Sequence, residues 1–374
     1  MINFLKIQNF KSLRNVQFDF RNLNLLMGLN SMGKSSVIQS LLILRQSYIK
    51  ENSLYKLYTN GDLIKLGNSK DIFFQNAATD EPICFEIENE ISKIHVKYNF
   101  KNSVDVLKAE EIRNKNEGQL SLVNEQFHYL AADHISPEKT YKSINSANNI
   151  YNQLGNNGEN APYFLARMGL TELQNTNLHH PKAKSNWIAH ELDAWMSEIS
   201  PGTKILANEL PGLDIVKMSV QFETKHKISE DKFVNEYTDE YSPVNVGFGI
   251  PYVLPLILSL LISNPGDLVL IENPESHLHP KGQSMIGKLI ALAAQSGVQI
   301  ICETHSDHII NGIRVATKNN IIANDKVRLF YFDKNEETKL ETEVTTINVD
   351  KNGELDNYPE GLLDEWGNLM SQLF

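Results

Sequence analysis

The stretch Gly28-Leu-Asn-Ser-Met-Gly33-Lys34-Ser35-Ser36 governs the reading of the whole chain. Its first eight residues follow the spacing G-x-x-x-x-G-K-S/T without a gap. The spacing has a physical reason. Consecutive backbone N–H groups must curl round a phosphate, so glycine is needed where the chain turns or approaches closely. Asn30, Ser31, Met32, Gly33, Lys34, Ser35 and Ser36 are the candidate phosphate contacts. Lys34 reaches the outer phosphates, and the Ser35 hydroxyl is placed to ligate Mg²⁺. Upstream, Leu23–Gly28 (LNLLMG) reads as a buried strand. Downstream, Val37, Leu41, Leu44 and Tyr48 recur at helical spacing. A strand, a glycine loop and a helix N-terminus in that order make an anion site.

Outward from this loop, Val16, Phe18 and Phe20 alternate with polar residues at period two, and residues 83–100 read as a hairpin or meander. Residues 105–240 are more polar and less periodic. Within them Ser185–Ile199 predicts a core-facing helix with Trp187, Ile188, Leu192, Trp195 and Ile199 on one face. Past Asn245, strands and helices alternate. A helix begins near Pro251, and a strand covers 267–272. A helix spans 282–294, a strand 298–304, a helix 307–315 and a strand 326–332. This alternation predicts an α/β fold with a mainly parallel sheet flanked by helices. Three segments follow: 1–104 with the phosphate loop and a β subdomain, 105–240 as a mixed, partly helical insertion, and 241–374.

Further candidates lie in the last segment. Glu272 ends an apolar run, where a carboxylate holds Mg²⁺ through a water. His305 ends the next apolar run and is placed to sense a γ-phosphate. Gly247 and Gly249 precede Pro251, giving a second glycine-rich approach to a helix N-terminus. His277, His279, Glu303, His305 and His308 are locally dense, but their spacing fits no standard zinc site. Neither Cys84 nor Cys302 has a persuasive partner for nucleophilic chemistry.

The net charge is −11, which argues against a general nucleic-acid coat without excluding a local basic groove. Two distant cysteines fit a reducing compartment. The longest apolar run, Val253–Ile262, is too short to span a bilayer and contains Pro255. The expectation is a cytoplasmic protein with no membrane partner.

Together these pieces resemble the ABC-type ATPase heads of the RecF, SMC and overcoming-lysogenization-defect (OLD) proteins. Residues 4–36 look like their first strands and Walker A motif. VLIENPESHLHP (Val269–Pro280) looks like Walker B and the D-loop, and ETHSDH (Glu303–His308) like the histidine switch. NVGFG (Asn245–Gly249) stands in the place of the signature. The match is closest to a bacterial family of single-head ATPases often found in anti-phage defence systems. That family's markers extend to residues 129–141, 154–166 and 348–366. The resemblance implies an ABC-ATPase head with an N-terminal antiparallel β subdomain and a helical insertion. It implies ATP and Mg²⁺ as ligands, and a homodimer or higher oligomer sandwiching ATP. Asn245, Gly247 and Gly249 of one copy would then approach the γ-phosphate held by the other. Gln75 stands as the Q-loop metal contact, and Lys11 near the phosphates.

One departure bears on catalysis. The usual general-base carboxylate falls on Asn273, and an amide cannot take a proton from water as a carboxylate does. Either Glu275 takes over, or Asn273 only orients the water and hydrolysis is slow. The leading expectation is a slow, partner-regulated ATPase switch acting on a separate effector, a nuclease or toxin in anti-phage defence. The alternative is a RecF-like DNA-binding repair ATPase.

Overall fold

The computed structural model describes residues 1–143, 154–229 and 232–373. Its centre is a six-stranded sheet in the order Thr342–Asn348, Val327–Lys334, Leu23–Gly28, Gln299–Glu303, Leu268–Glu272, Phe127–Leu130. All its pairings are parallel except that of Thr342–Asn348 with Val327–Lys334. The expected mainly parallel sheet is therefore present, with the phosphate-loop strand in its interior. Such a strand is covered on both faces, which is why Leu23–Met27 is buried without alternation.

The two faces of this sheet feed two cores, and the partition follows the period-two rule. Leu23, Leu25, Met27, Val269, Ile271, Ile300 and Cys302 point to one core. There they meet the helices Gly249–Leu261, Pro280–Gln295 and Asp307–Lys318. Leu26, Leu268, Leu270 and Ile301 point to the other, shared with the helix Lys34–Glu51 and the N-terminal sheet.

That N-terminal sheet is antiparallel throughout, in the order Leu13–Asp19, Phe4–Phe10, Ile83–Glu88, Lys93–Tyr98, Val106–Lys115, Lys56–Tyr58. The insertion contributes helices Ala161–Met168 and Ile188–Ile199, and an antiparallel sheet of Thr203–Leu210, Ile215–Ser229, Lys232–Tyr237 and Thr140–Lys142. Segment 105–240 also sends strands to both other sheets. Val106–Lys115 extends the N-terminal sheet, and Phe127–Leu130 closes one edge of the central sheet.

Several element boundaries shift by one to three residues from the sequence reading. The helix expected from Ser185 starts at Ile188, and Trp187, its N-cap, is 39% exposed instead of facing the core. The helix expected near Pro251 begins at Gly249 and carries Pro255 inside it. Gly158 approaches so closely that a Cβ on it would lie 2.2 Å from the Pro255 ring. The loop around Gly158 thereby braces the helix where the proline removes a backbone donor.

Candidate phosphate site

The loop after Leu23–Gly28 turns through three left-handed residues, Gly28 (φ 131°), Ser31 (φ 67°) and Gly33 (φ 102°), and Gly33 caps the helix Lys34–Glu51. Both glycines are also demanded by their neighbours. A Cβ on Gly28 would stand 2.3 Å from the Phe332 carbonyl, and one on Gly33 would stand 2.5 Å from Thr342 Oγ1. Thr342 closes the loop from outside, donating to the Met32 carbonyl (2.8 Å) and accepting from the Ser12 hydroxyl (2.8 Å).

Lys34 Nζ donates to the carbonyls of Gly28 (2.9 Å) and Leu29 (2.6 Å) and so lies across its own loop. Burial lowers its pKa, while Glu303 and Glu275 pull it back up. The Ser35 hydroxyl donates to Glu303 Oε1 at 2.9 Å. Glu303 stands in register with Glu272 across the parallel ladder, so two carboxylates end adjacent strands beside the phosphate loop. Tyr129 donates to Glu272 Oε1 at 3.0 Å. Burial first, and then the Glu303 charge, push the Glu272 carboxyl up to about 7.

The loop after Glu272 carries Asn273 in a left-handed conformation (φ 48°) that asparagine tolerates well. Its N–H donates to the Glu303 carbonyl (2.9 Å), and its Oδ1 is buried with no partner among the described residues. Glu275 accepts from Thr304 Oγ1 (2.8 Å) and from the His305 N–H (2.7 Å). Both of its oxygens are thereby engaged, and Glu275 braces this loop against the loop that carries Thr304 and His305. The His305 side chain is exposed. Partial burial of the ring first, and the Lys34 charge second, lower its pKa and so favour the neutral imidazole.

Asn245 and Gly247 are exposed at the start of the helix Gly249–Leu261, and Gly249 packs against the His277 carbonyl, where a Cβ would lie 2.6 Å away. Tyr252 stacks on His134 (4.1 Å) and meets His277 edge-on (5.0 Å). The segment Asn245–Gly249 thus sits on the far end of the loop that begins at Glu272. Gln75 is exposed on a cavity of about 720 Å³ lined also by Lys11, Ser12, Phe73, Phe100 and Lys334. Lys11 Nζ donates to Gln39 Oε1 (2.6 Å) in the first turns of the phosphate-loop helix.

Lys34, Ser35, Glu272, Glu275 and the His305 backbone are therefore brought together. Thr304 and Tyr129 join them without having been singled out as site residues, and so does Glu303, weighed from the sequence only within a His/Glu cluster for zinc. The strand expected to run up to His305 stops at Glu303, so Glu303, not His305, occupies the strand-end position that Glu272 has on the neighbouring strand. Tyr129 gives the 129–141 marker a contact with the site. Among the described residues no three His, Cys, Asp or Glu side chains converge as a ready-made metal cage. A hydroxyl and carboxylates that need phosphate oxygens to complete the set suit Mg²⁺. The buried, unpartnered Glu303 Oε2 fits the same hard cation. No helix among the described residues is long and apolar enough to cross a membrane.

Among solved structures, the chain is similar to an SMC head bound to the C-winged helix domain of ScpA. The identity there is 13% and the TM-score 0.48, covering 94% of this chain and 98% of that one. It is similar to the SMC head domain from Thermotoga maritima at 10% identity and a TM-score of 0.48, covering 93% and 99%. A third likeness is to an SMC head domain with an extended coiled coil, bound to the C-terminal domain of ScpA derived from Pyrococcus furiosus. Its identity is 12% and its TM-score 0.49, covering 100% and 99%. No curated protein matches the sequence. Residues 322–373 match the model of a protein family of unknown function (DUF3696). Residues 23–311, most of the chain and all of the phosphate site, match the model described as "AAA domain, putative AbiEii toxin, Type IV TA system", and the chain belongs to that AAA-domain family.

Proposed function

We propose that the chain is a slow ATPase whose ATP-bound form closes as a head-to-head homodimer and so switches a separate effector protein. The observation that carries this reading is the convergence of Lys34, Ser35, Glu272 and Glu303 at the N-terminus of the helix Lys34–Glu51. The loop amides and the helix end bind the phosphates. Lys34 exchanges its two carbonyl acceptors for phosphate oxygens, whose charge makes them stronger partners. Mg²⁺, which Ser35 and the strand-end carboxylates would hold, would supply positive charge to offset that of the phosphates as the terminal bond breaks. The cavity beside Lys11, Ser12 and Phe73 adjoins the loop through Ser12 and accepts the nucleoside end.

Slow turnover follows from the groups around the attacking water. Asn273 cannot accept its proton, and Glu275 has both oxygens engaged by Thr304 and His305. Control by a partner fits such a resting state, because a small displacement of the switch loop would release Glu275. The family description, which names a putative toxin of a type IV toxin–antitoxin system, supports action together with another macromolecule.

The test compares wild type with Lys34→Ala for binding of a fluorescent ATP analogue and for phosphate release. Affinity should fall at least about 10-fold, a loss of about 1.4 kcal/mol, and phosphate release should drop to background. Equal phosphate release by both proteins would reject the ATPase.

A further inference from the structure

Motif spacing leaves one carboxylate at the phosphate loop without a role. Glu303 is 5% exposed at the end of the strand Gln299–Glu303. It pairs with Glu272 on one side and with Leu26 of the phosphate-loop strand on the other. Oε1 accepts from Ser35, and Oε2 is buried with no partner among the described residues. An unsatisfied buried carboxylate oxygen is costly and calls for an explanation. Beside it, Asn273 supplies an amide on the Glu272 loop, with Oδ1 likewise buried and unpartnered.

We infer that Glu303 is a metal-binding residue: with the Ser35 hydroxyl it holds the Mg²⁺ that accompanies bound nucleotide, replacing on the neighbouring strand the negative charge that Asn273 removes from the Glu272 loop. Three observations support this, given the ATP-binding reading above on which it rests. The Ser35 and Glu303 oxygens are 2.9 Å apart. Two adjacent ligands on an octahedron with bonds of 2.0–2.1 Å are separated by about 2.9 Å, so the pair already has the spacing of one octahedral edge. The free Oε2 gives the carboxylate capacity beyond its bond to Ser35. Finally, Glu303 and Glu272 lie in register, so a divalent cation between strand ends and phosphates relieves the repulsion of two neighbouring carboxylates.

A merely structural Glu303, pinning Ser35, makes a different prediction, because glutamine also accepts a hydrogen bond from that hydroxyl. Binding of Mn²⁺ to the full chain saturated with ADP, followed by electron paramagnetic resonance, separates the two. Glu303→Gln should weaken Mn²⁺ about 10- to 100-fold. Glu303→Asp, which keeps the charge, should retain most of the affinity. Binding of a fluorescent ATP analogue in EDTA should be unchanged or tighter in Glu303→Gln, since a negative charge beside the phosphates is gone. Unchanged Mn²⁺ affinity in Glu303→Gln overturns the assignment, and so does a parallel loss of metal-free nucleotide binding. Failure of the wild type to bind any nucleotide instead rejects the reading of the site as a whole, and this assignment with it.

Discussion

Glu272 is held closer to neutral than an ordinary carboxylate, with its pKa raised to about 7 by burial first and by Glu303 second. The unperturbed value is 4.5. Between these values the folded chain keeps a proton that the unfolded chain releases. This residue's contribution to stability is therefore lost as pH rises through that window. Glu275 and Glu303, also raised chiefly by burial, act in the same direction. Urea denaturation of wild type and Glu272→Gln at about pH 5 and about pH 8 checks this. Relative to the variant, the wild type should lose on the order of 2–3 kcal/mol between the two conditions. A pH-independent difference would show an ordinary carboxyl. At the same scale, Gly28 and Gly33 answer to two demands. A phosphate loop needs glycine for turning, and here Phe332 and Thr342 leave no space for a Cβ.

The helix Lys34–Glu51 shows how an element departs from its sequence pattern. Spacing marked one apolar face through Val37, Leu41, Leu44 and Tyr48. In the structure nearly every side chain from Ser36 to Ser47 is buried, because the helix is packed between the central and N-terminal sheets. Even Arg45 is fully buried. It donates to the carbonyls of Leu122 (2.6 Å) and Asn124 (3.0 Å) and lies over the Phe127 ring at 3.9 Å. It ties the phosphate-loop helix to the edge strand that brings Tyr129 to Glu272. Arg45→Met should cost about 2–4 kcal/mol, since one buried and one partly buried carbonyl lose their donor. Chemical denaturation measures this, and a change under about 0.5 kcal/mol would mean that water replaces the guanidinium. The tail is fixed in a comparable way. Arg314 donates to the Gly353 carbonyl (2.7 Å) and to Glu354 (3.1 Å), strapping residues 353–358 onto the helix that follows His305.

At the scale of the whole molecule, the phosphate loop and the signature segment of one chain lie at different places, joined by the loop from Glu272 to His277. Leu29 beside the one and Phe248 beside the other are both exposed, as the proposed head-to-head dimer requires. Gly247 gives a clean test, because a Cβ there meets nothing within 4 Å, whereas one on Gly249 strikes the His277 carbonyl. Gly247→Arg should fold normally and bind ATP, yet fail to dimerise with ATP and Mg²⁺ in sedimentation velocity under conditions where the wild type does. Dimerisation of this variant at wild-type protein concentration would remove the signature from the interface.

The sequence by itself determined the phosphate loop, the strand and helix that flank it, the alternation that builds the parallel sheet, and Glu272 at a strand end, whereas the next strand stops at Glu303 and leaves His305 in the following loop. All of these are local. Glycine spacing, period-two and period-3.6 patterns, and an apolar run ending in a charge are legible because their causes act within a few residues. Only the tertiary structure decided which strands flank Leu23–Gly28. Its neighbours come from residues 299–303 and 327–334, and that choice puts Glu303 on Ser35 and Phe332 against Gly28. It also made Glu275 a brace and gave Tyr129 its place beside Glu272. Parallel neighbours are joined through crossovers, so sequence distance carries no information about which strand ends will face one another.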